Sequence, residues 1–331
     1  MTPLLQTHEL SKSFSSPPGM LQRAAAAAGL RLPAALRAAP SVYAVNGVSL
    51  AVARGEVLGL VGESGCGKST VGRMIAGLLP PSGGTLHFDG QDLTRAGPAR
   101  HLKIQMVFQN PYASLNPRQR IGSVISEGAL HHGLVAPRDA QAFAAGLLSK
   151  VGLDPSYAQR YPHQFSGGQR QRIAIARALA LDPEFIVCDE AVSALDVSVQ
   201  AQVINLFMDL RASRELTYLF ISHNLAVVEY IADRVAVMYL GRIVEMAGTR
   251  SLFARPQHPY TQALIADAPR MGAAVAEHRP IQGELPSPLD PPSGCPFHPR
   301  CPHAMARCAA ERPALLESGP GHWSACHLVN P

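Results

Sequence analysis

No uncharged apolar run of about 18 residues, the length a bilayer-crossing helix needs, occurs anywhere in this chain of 331 residues. The nearest approach, 225–240, is broken by Glu229, Asp233 and Arg234, so a membrane span is not expected. A signal peptide is not expected either, because His8, Glu9 and Lys12 stand where its apolar stretch would lie. The reading is a cytosolic chain. Basic blocks are also missing: the net charge of +5 comes from 29 basic and 24 acidic residues that are interspersed, so nucleic acid is not an expected partner. There is one tryptophan and no internal repeat, and charged residues make up only 16% against 47% hydrophobic. Such a balance buries a core without disulfide staples. Cysteine is scarce until the end, with Cys66 and Cys188 in apolar surroundings and Cys295, Cys301, Cys308 and Cys326 crowded into the last 37 residues. In a reducing compartment that crowding points to metal or cluster ligation before disulfides.

What is present begins with Gly62-Glu63-Ser64-Gly65-Cys66-Gly67-Lys68-Ser69-Thr70 after the apolar run Val57–Val61. The spacing is that of a P-loop. Its glycines let successive N–H groups turn inward at a helix N-terminus, a nest for phosphate oxygens. Lys68 would reach the β- and γ-phosphates and Ser69 would ligate Mg²⁺, leaving Thr70 to cap or pack. A plain Gly-rich turn is the competing reading.

Two further all-apolar runs, Phe185–Cys188 and Tyr218–Ile221, each end in polar residues, the pattern of parallel strands covered on both faces. Ligands of such sheets bind at the strands' carboxyl ends. Asp189 is therefore a candidate Mg²⁺ holder, Glu190 a base that polarises water, and His223 a γ-phosphate contact. Gln109, after Met106-Val107-Phe108, offers a neutral amide to Mg²⁺ or water. Taken singly, Asp189-Glu190 also reads as a solvated strand end and His223 as a structural histidine, while Gln109 alone is uninformative. Ser166-Gly167-Gly168-Gln169 opens a strongly helical stretch with a capping-box pattern. It is either a simple helix start or a second anion site.

Along the chain, residues 15–40 form an Ala/Pro-rich surface insertion. Short β-like runs in 43–61 and 85–88 predict a small antiparallel layer, and 110–175 a helical subdomain. Beyond about 255 proline becomes dense and apolar periodicity fades, which predicts a separate C-terminal module.

The P-loop, Gln109, the Phe165–Gln169 element, Asp189-Glu190, Ser193-Ala194-Leu195-Asp196 and His223 occur in an order that resembles the ATP-binding cassette family. The stretches at 106–118, 192–206, 219–228 and 233–245 resemble the F-type ATP-binding subunit of bacterial dipeptide and oligopeptide importers. Gln257–Thr261 and 294–302 resemble that group's C-terminal extension. Ala191 and Asn224 depart from the usual Pro and Asp. The resemblance implies an α/β fold: a P-loop ABC-type nucleotide-binding domain over 1–254, with a RecA-like core, antiparallel β layer and helical subdomain, then a small cysteine-bearing domain over 255–331. It implies ATP hydrolysis coupled to peptide uptake, with ATP and Mg²⁺ as cofactors. Ser166, Gly167, Gly168 and Gln169 would serve the facing site of a head-to-tail D-type ATPase partner, and Asp196 would be a further nucleotide-binding residue. Two membrane permease subunits and a substrate-binding protein would complete the assembly at the cytoplasmic face of the inner membrane. Phe14 or Tyr43 would stack on adenine. The four C-terminal cysteines would hold a [4Fe–4S] cluster, with Zn²⁺ as the alternative and His298, His303, His322 and His327 as possible ligands. Import of haem, nickel complexes or glutathione, and a non-transport ABC ATPase, are the rival readings.

Overall fold

The computed structural model describes residues 3–14, 42–94, 102–110, 115–267, 283–284, 286–287 and 289–330. The insertion expected at 15–40 lies outside them. Twelve strands and nine α-helices are built from these residues. In chain order they are β1 (Leu5–Phe14), β2 (Val42–Val52), β3 (Val57–Val61), α1 (Lys68–Ile75), β4 (Gly83–Phe88), β5 (Gln91–Asp92), β6 (Ile104–Val107), α2 (Ile121–His131), α3 (Ala140–Lys150), α4 (Gly167–Leu179), β7 (Phe185–Asp189), α5 (Val197–Arg214), β8 (Thr217–Ile221), α6 (Leu225–Ile231), β9 (Arg234–Tyr239), β10 (Arg242–Gly248), α7 (Thr249–Ala254), α8 (Pro259–Ala266), α9 (Ala306–Ala310), β11 (Leu316–Gly319) and β12 (His322–Ser324).

The large sheet runs β11-β12-β10-β9-β3-β8-β7-β6, and its segment from β9 to β6 is parallel. β3, β7 and β8 are buried at every residue. Because side chains alternate faces with period two, each uniform apolar run feeds two cores at once. Val57 and Val61 join Ile186, Tyr218 and Phe220 on one face. Leu58 and Leu60 join Val187, Leu219 and Ile221 on the other. The expected antiparallel layer is a second sheet, β2-β1-β4-β5. Helices α2, α3 and α4 pack on one another through Ile121, Val124, Ile125, Leu147, Leu148, Ile173 and Ile175.

The C-terminal region does not stand apart as a separate module. β12 pairs with β10 through Glu245 with Ser324 and Met246 with Trp323, so the last strands extend the main sheet. Phe297, Cys295 and Cys308 belong to the same apolar cluster as β9 and α8. Low apolar periodicity misleads here because the segment is pinned at scattered points instead of by an amphipathic face.

Candidate active site

β3, β6, β7 and β8 are parallel neighbours, so their carboxyl ends open on one edge. The chain leaves β3 into the loop 62–67, whose glycines Gly62, Gly65 and Gly67 all have positive φ, at 151°, 81° and 106°. A side chain at Gly62 would meet the Met238 carbonyl oxygen at 2.1 Å, and one at Gly67 would meet that of Ala44 at 2.1 Å. Only glycine lets the loop lie against β9 and β2 at those points. Gly65 has nothing within 4 Å of where its Cβ would be, and with Ser64 it is exposed. The loop is thus clamped beneath and open above.

Lys68 begins α1 and is buried, its Nζ donating to the carbonyls of Gly62 at 2.7 Å and Glu63 at 2.9 Å. Ser69 Oγ donates to Asp189 Oδ1 at 2.7 Å. This pair offers one hydroxyl and one carboxylate to a hard cation, the donor set Mg²⁺ takes beside phosphates. Burial lifts the Asp189 carboxyl above its ordinary pKa, with the Ser69 hydrogen bond and Arg73 pulling it back. Cys66 is buried in the loop and Cys188 in β7, and burial raises both thiol pKa values. They are packing groups and poor nucleophiles. Thr70 is half-buried in α1.

Gln109, Glu190 and His223 converge from three strand ends. Gln109 Nε2 donates to Glu190 Oε2 at 2.8 Å, and His223 Nδ1 lies 3.3 Å from Glu190 Oε1. Glu190 has φ of 49°, a left-handed conformation costly for a residue with a long side chain. It is held there because its N–H donates to Ile221 O at 2.9 Å and its carbonyl accepts the Ser193 hydroxyl at 2.9 Å. Ser193 also stands 3.4 Å from Gln109 Nε2, a partner the sequence reading missed although it quoted the motif. Asn224, the departure after His223, caps α6 by accepting from the N–H groups of Ala226 and Val227. Ala191 is buried.

Ser166 and Gln169 form the predicted capping box: Ser166 Oγ accepts the Gln169 N–H at 3.3 Å and Gln169 Oε1 accepts that of Ser166 at 3.0 Å. Ser166 and Gly167 are exposed, whereas Gly168 is buried, with Val199 Cγ1 2.2 Å from its would-be Cβ. Asp196 is exposed at the start of α5 and its side chain makes no cap. Phe14 and Tyr43, 45% and 50% exposed, occupy neighbouring register positions of β1 and β2, where Ser13 opposes Tyr43 and Phe14 opposes Val42. Because side chains alternate faces along a strand, the two rings lie on opposite faces of this pair, and Lys12 Nζ is 5.4 Å from the Phe14 ring centre.

The C-terminal thiols do not form a finished metal centre. Among the described residues no group of three or more His, Cys, Asp or Glu is placed to hold a metal ion. Cys295, Cys308 and Cys326 are buried and Cys301 half-buried. They lie within one another's electrostatic reach, and burial, reinforced by the neighbouring sulfurs, pushes the Cys295 thiol up to about 11. Three histidines named as zinc ligands are otherwise engaged. His322 Nε2 pairs with Glu245 at 2.7 Å, His327 Nε2 lies 3.0 Å from the Glu311 carbonyl, and His298 Nδ1 lies 3.0 Å from the Cys295 carbonyl.

Also missed were Glu63, Tyr260 and Arg300. Tyr260 Oη accepts the Glu63 N–H at 2.8 Å, and Arg300 grips the Glu63 carboxylate at 2.7 and 3.0 Å. Their signals were the stretches that contain them: the P-loop for Glu63, Gln257–Thr261 for Tyr260 and 294–302 for Arg300.

Residues 45–193 match the ABC transporter family, and 244–308 match the oligopeptide/dipeptide transporter C-terminal region. The chain is 48% identical to the oligopeptide transport ATP-binding protein AppF of Bacillus subtilis, over 99% of its own length and 98% of that protein. It is 47% identical to the dipeptide transport ATP-binding protein DppF of Escherichia coli, over 99% and 95%. In fold it is similar to a dimeric ATP-binding cassette in a post-hydrolysis state with ADP and phosphate: the TM-score is 0.61 at 24% identity, over 74% of this chain and 99% of that one.

Proposed function

This chain belongs to the ABC transporter family as an ATP-hydrolysing subunit of a peptide importer, and we propose that Lys68, Ser69, Asp189, Glu190, Gln109 and His223 carry out its hydrolytic step. The observation that carries this reading is their convergence at adjoining parallel strand ends, with Glu190 held between Gln109 and His223. Lys68 and the loop N–H groups bind the phosphates. Ser69 and Asp189 would hold Mg²⁺, which would supply charge neutralisation to the phosphates. Glu190 takes a proton from the attacking water while Gln109 and His223 fix the carboxylate's orientation, so the protein's contribution is positioning and electrostatics. Phe14 or Tyr43, each an exposed ring, stacks on adenine.

We further infer that Ser166 and Gly167 serve a partner's nucleotide. Both are exposed, and the hydrogen bonds of Ser166 close on Gln169, leaving a capped helix start facing outward. A neighbouring ATPase subunit of D type, two permease subunits and a substrate-binding protein complete this reading, which places the chain peripherally at the cytoplasmic face of the inner membrane. No helix of the described residues is long and apolar enough to cross a membrane. For the four cysteines we favour a [4Fe–4S] cluster over zinc, since a four-iron cluster holds its thiolates farther apart than a single ion does. The engaged histidines support that preference. We infer a functional boundary near residue 254, with hydrolysis carried by 1–254 and the extension formed by 255–331.

Ser166→Arg in the purified importer tests the shared site: ATP still binds at Lys68, while hydrolysis by the assembled complex is lost. An isolated chain that hydrolyses ATP as fast as the complex, with no dependence on concentration, overturns it. Proteins copurifying from solubilised membranes identify the partners and the class of substrate.

A further inference from the structure

Glu63 is the only acidic residue of the P-loop, and every hydrogen-bonding group it has is occupied within the chain. Its carbonyl accepts Lys68 Nζ at 2.9 Å. Its N–H donates to Tyr260 Oη at 2.8 Å, so that N–H is withdrawn from the phosphate nest. Its carboxylate receives both terminal nitrogens of Arg300, at 2.7 and 3.0 Å. The Arg300 side chain is only 6% exposed, and Nη1 also lies 3.4 Å from Tyr239 Oη. Beneath these groups Tyr239, Tyr260 and Phe297 pack as a triangle of rings with centroids 4.7, 5.3 and 5.4 Å apart. All three are essentially buried. A two-pronged arginine on a carboxylate, set on a rigid aromatic base, fixes orientation as well as position.

We propose that Tyr260 and Arg300 are positioning residues of the ATPase: through Glu63 they hold the P-loop, and with it Lys68, in the shape that binds ATP. The C-terminal extension is thereby a determinant of nucleotide affinity, and a change in its folding is felt at the phosphates. The inference rests on the reading of 62–70 as the phosphate site. Neither residue touches nucleotide or the reacting water. They act by raising the fraction of chains whose loop is already formed, and apparent affinity falls in proportion to that fraction.

ATP affinity and steady-state hydrolysis of the full importer separate this from a merely structural role. Tyr260→Phe keeps the ring packing and orphans one N–H, which should weaken ATP binding roughly fivefold. Arg300→Lys keeps the charge and loses the two-pronged grip, with a similar rise in Kd and KM. Arg300→Ala should exceed about tenfold. At saturating ATP, kcat should stay within about twofold in all three, because Glu190, Gln109 and His223 are untouched. Adding Glu63→Gln to Arg300→Ala should weaken binding no further, since both act through one contact. If Tyr260→Phe and Arg300→Lys fold, melt near the wild-type temperature and bind ATP within twofold of wild type, the proposal is overturned. Arg300→Ala failing to fold does not rescue it, because the two conservative variants decide. A wild-type importer that bound no ATP would instead overturn the phosphate-site reading, and this inference with it.

Discussion

Gln109, Glu190 and His223 meet because three parallel strands end side by side, whereas Tyr260 and Arg300 reach Glu63 from 197 and 237 residues further along the chain. The first group inherits its geometry from the sheet. Each strand's register places the next residue at the edge, and no long-range side-chain pair is needed to bring it there. The second group has no such frame. The extension carries short strands, a short helix α8 and stretches without regular structure, and it is held by discrete polar and aromatic contacts. Buried Glu245 shows the principle: its carboxylate accepts the N–H groups of Gln257 at 2.7 Å and His258 at 2.9 Å and pairs with His322 at 2.7 Å. One carboxylate thus ties the start of the extension to β12. Chemistry set by a sheet should be breakable without loss of structure, and structure set by contacts should be breakable without loss of chemistry.

The largest expected effect lies on the sheet-built side. Glu190→Gln preserves shape and the contact with Gln109 but cannot accept a proton. Hydrolysis by the assembled importer should fall about 10²–10⁴-fold. ATP affinity and the melting temperature should hardly move, because Lys68, Ser69 and Asp189 are untouched. Near-normal hydrolysis by this variant would remove Glu190 from the role of base. A large loss of stability would blur the contrast between the two regions.

The same contrast explains what could be read in advance. β3, β7 and β8 announce themselves as apolar runs ending in polar residues, and the capping box of Ser166 and Gln169 is a local rule, so both were legible. Ser193 was not singled out, because its value arises only when Glu190 adopts its left-handed turn and exposes its carbonyl to the hydroxyl. Phe14 and Tyr43 are alternatives in sequence, where 28 residues separate them, and the β1–β2 pairing brings their strands together while placing the two rings on opposite faces. The extension was misjudged as a separate module. Nothing in a Pro-rich stretch reveals that Trp323 will pair with Met246, or that Arg300 will find Glu63.

A smaller effect, of about 2 kcal/mol, is expected from pH on the contact-built side. His258 is 1% exposed, its Nδ1 accepts the Tyr260 N–H at 3.0 Å, and its Nε2 has no partner. Burial lowers its pKa from 6.5 to about 4. The folded state therefore resists a proton that the unfolded chain takes up below about pH 6.5. Stability is intact above that pH and is lost as pH falls toward 4. At pH 5 the loss from this group is about 2 kcal/mol, at 1.36 kcal/mol per pKa unit. His258→Asn keeps an N-cap acceptor for α8 and removes the titration. Urea unfolding followed by Trp323, the single tryptophan, should show a smaller drop between pH 7 and pH 5 in the variant. An identical drop would assign the acid sensitivity elsewhere.

The smallest effect on the nucleotide site is expected from Cys301→Ser, which changes one half-buried atom in the extension. Wild-type protein purified without oxygen should be brown and contain iron and sulfide if the four thiolates hold a cluster, and Cys301→Ser should lose both. Ligation supplies folding energy locally, so limited proteolysis should cut the variant within 290–331 and spare the rest. ATP should still bind, weakened no more than in Arg300→Ala, because the Arg300 grip on Glu63 is left in place. Collapse of the whole chain would show that the extension supports the sheet as much as the sheet supports it. Wild-type protein with neither iron, sulfide nor zinc at stoichiometric levels would reject both metal readings. The extension would then be held by the β12–β10 pairing, Glu245, Arg300 and the aromatic triangle, and the smallest perturbation of those contacts would be the one to measure next.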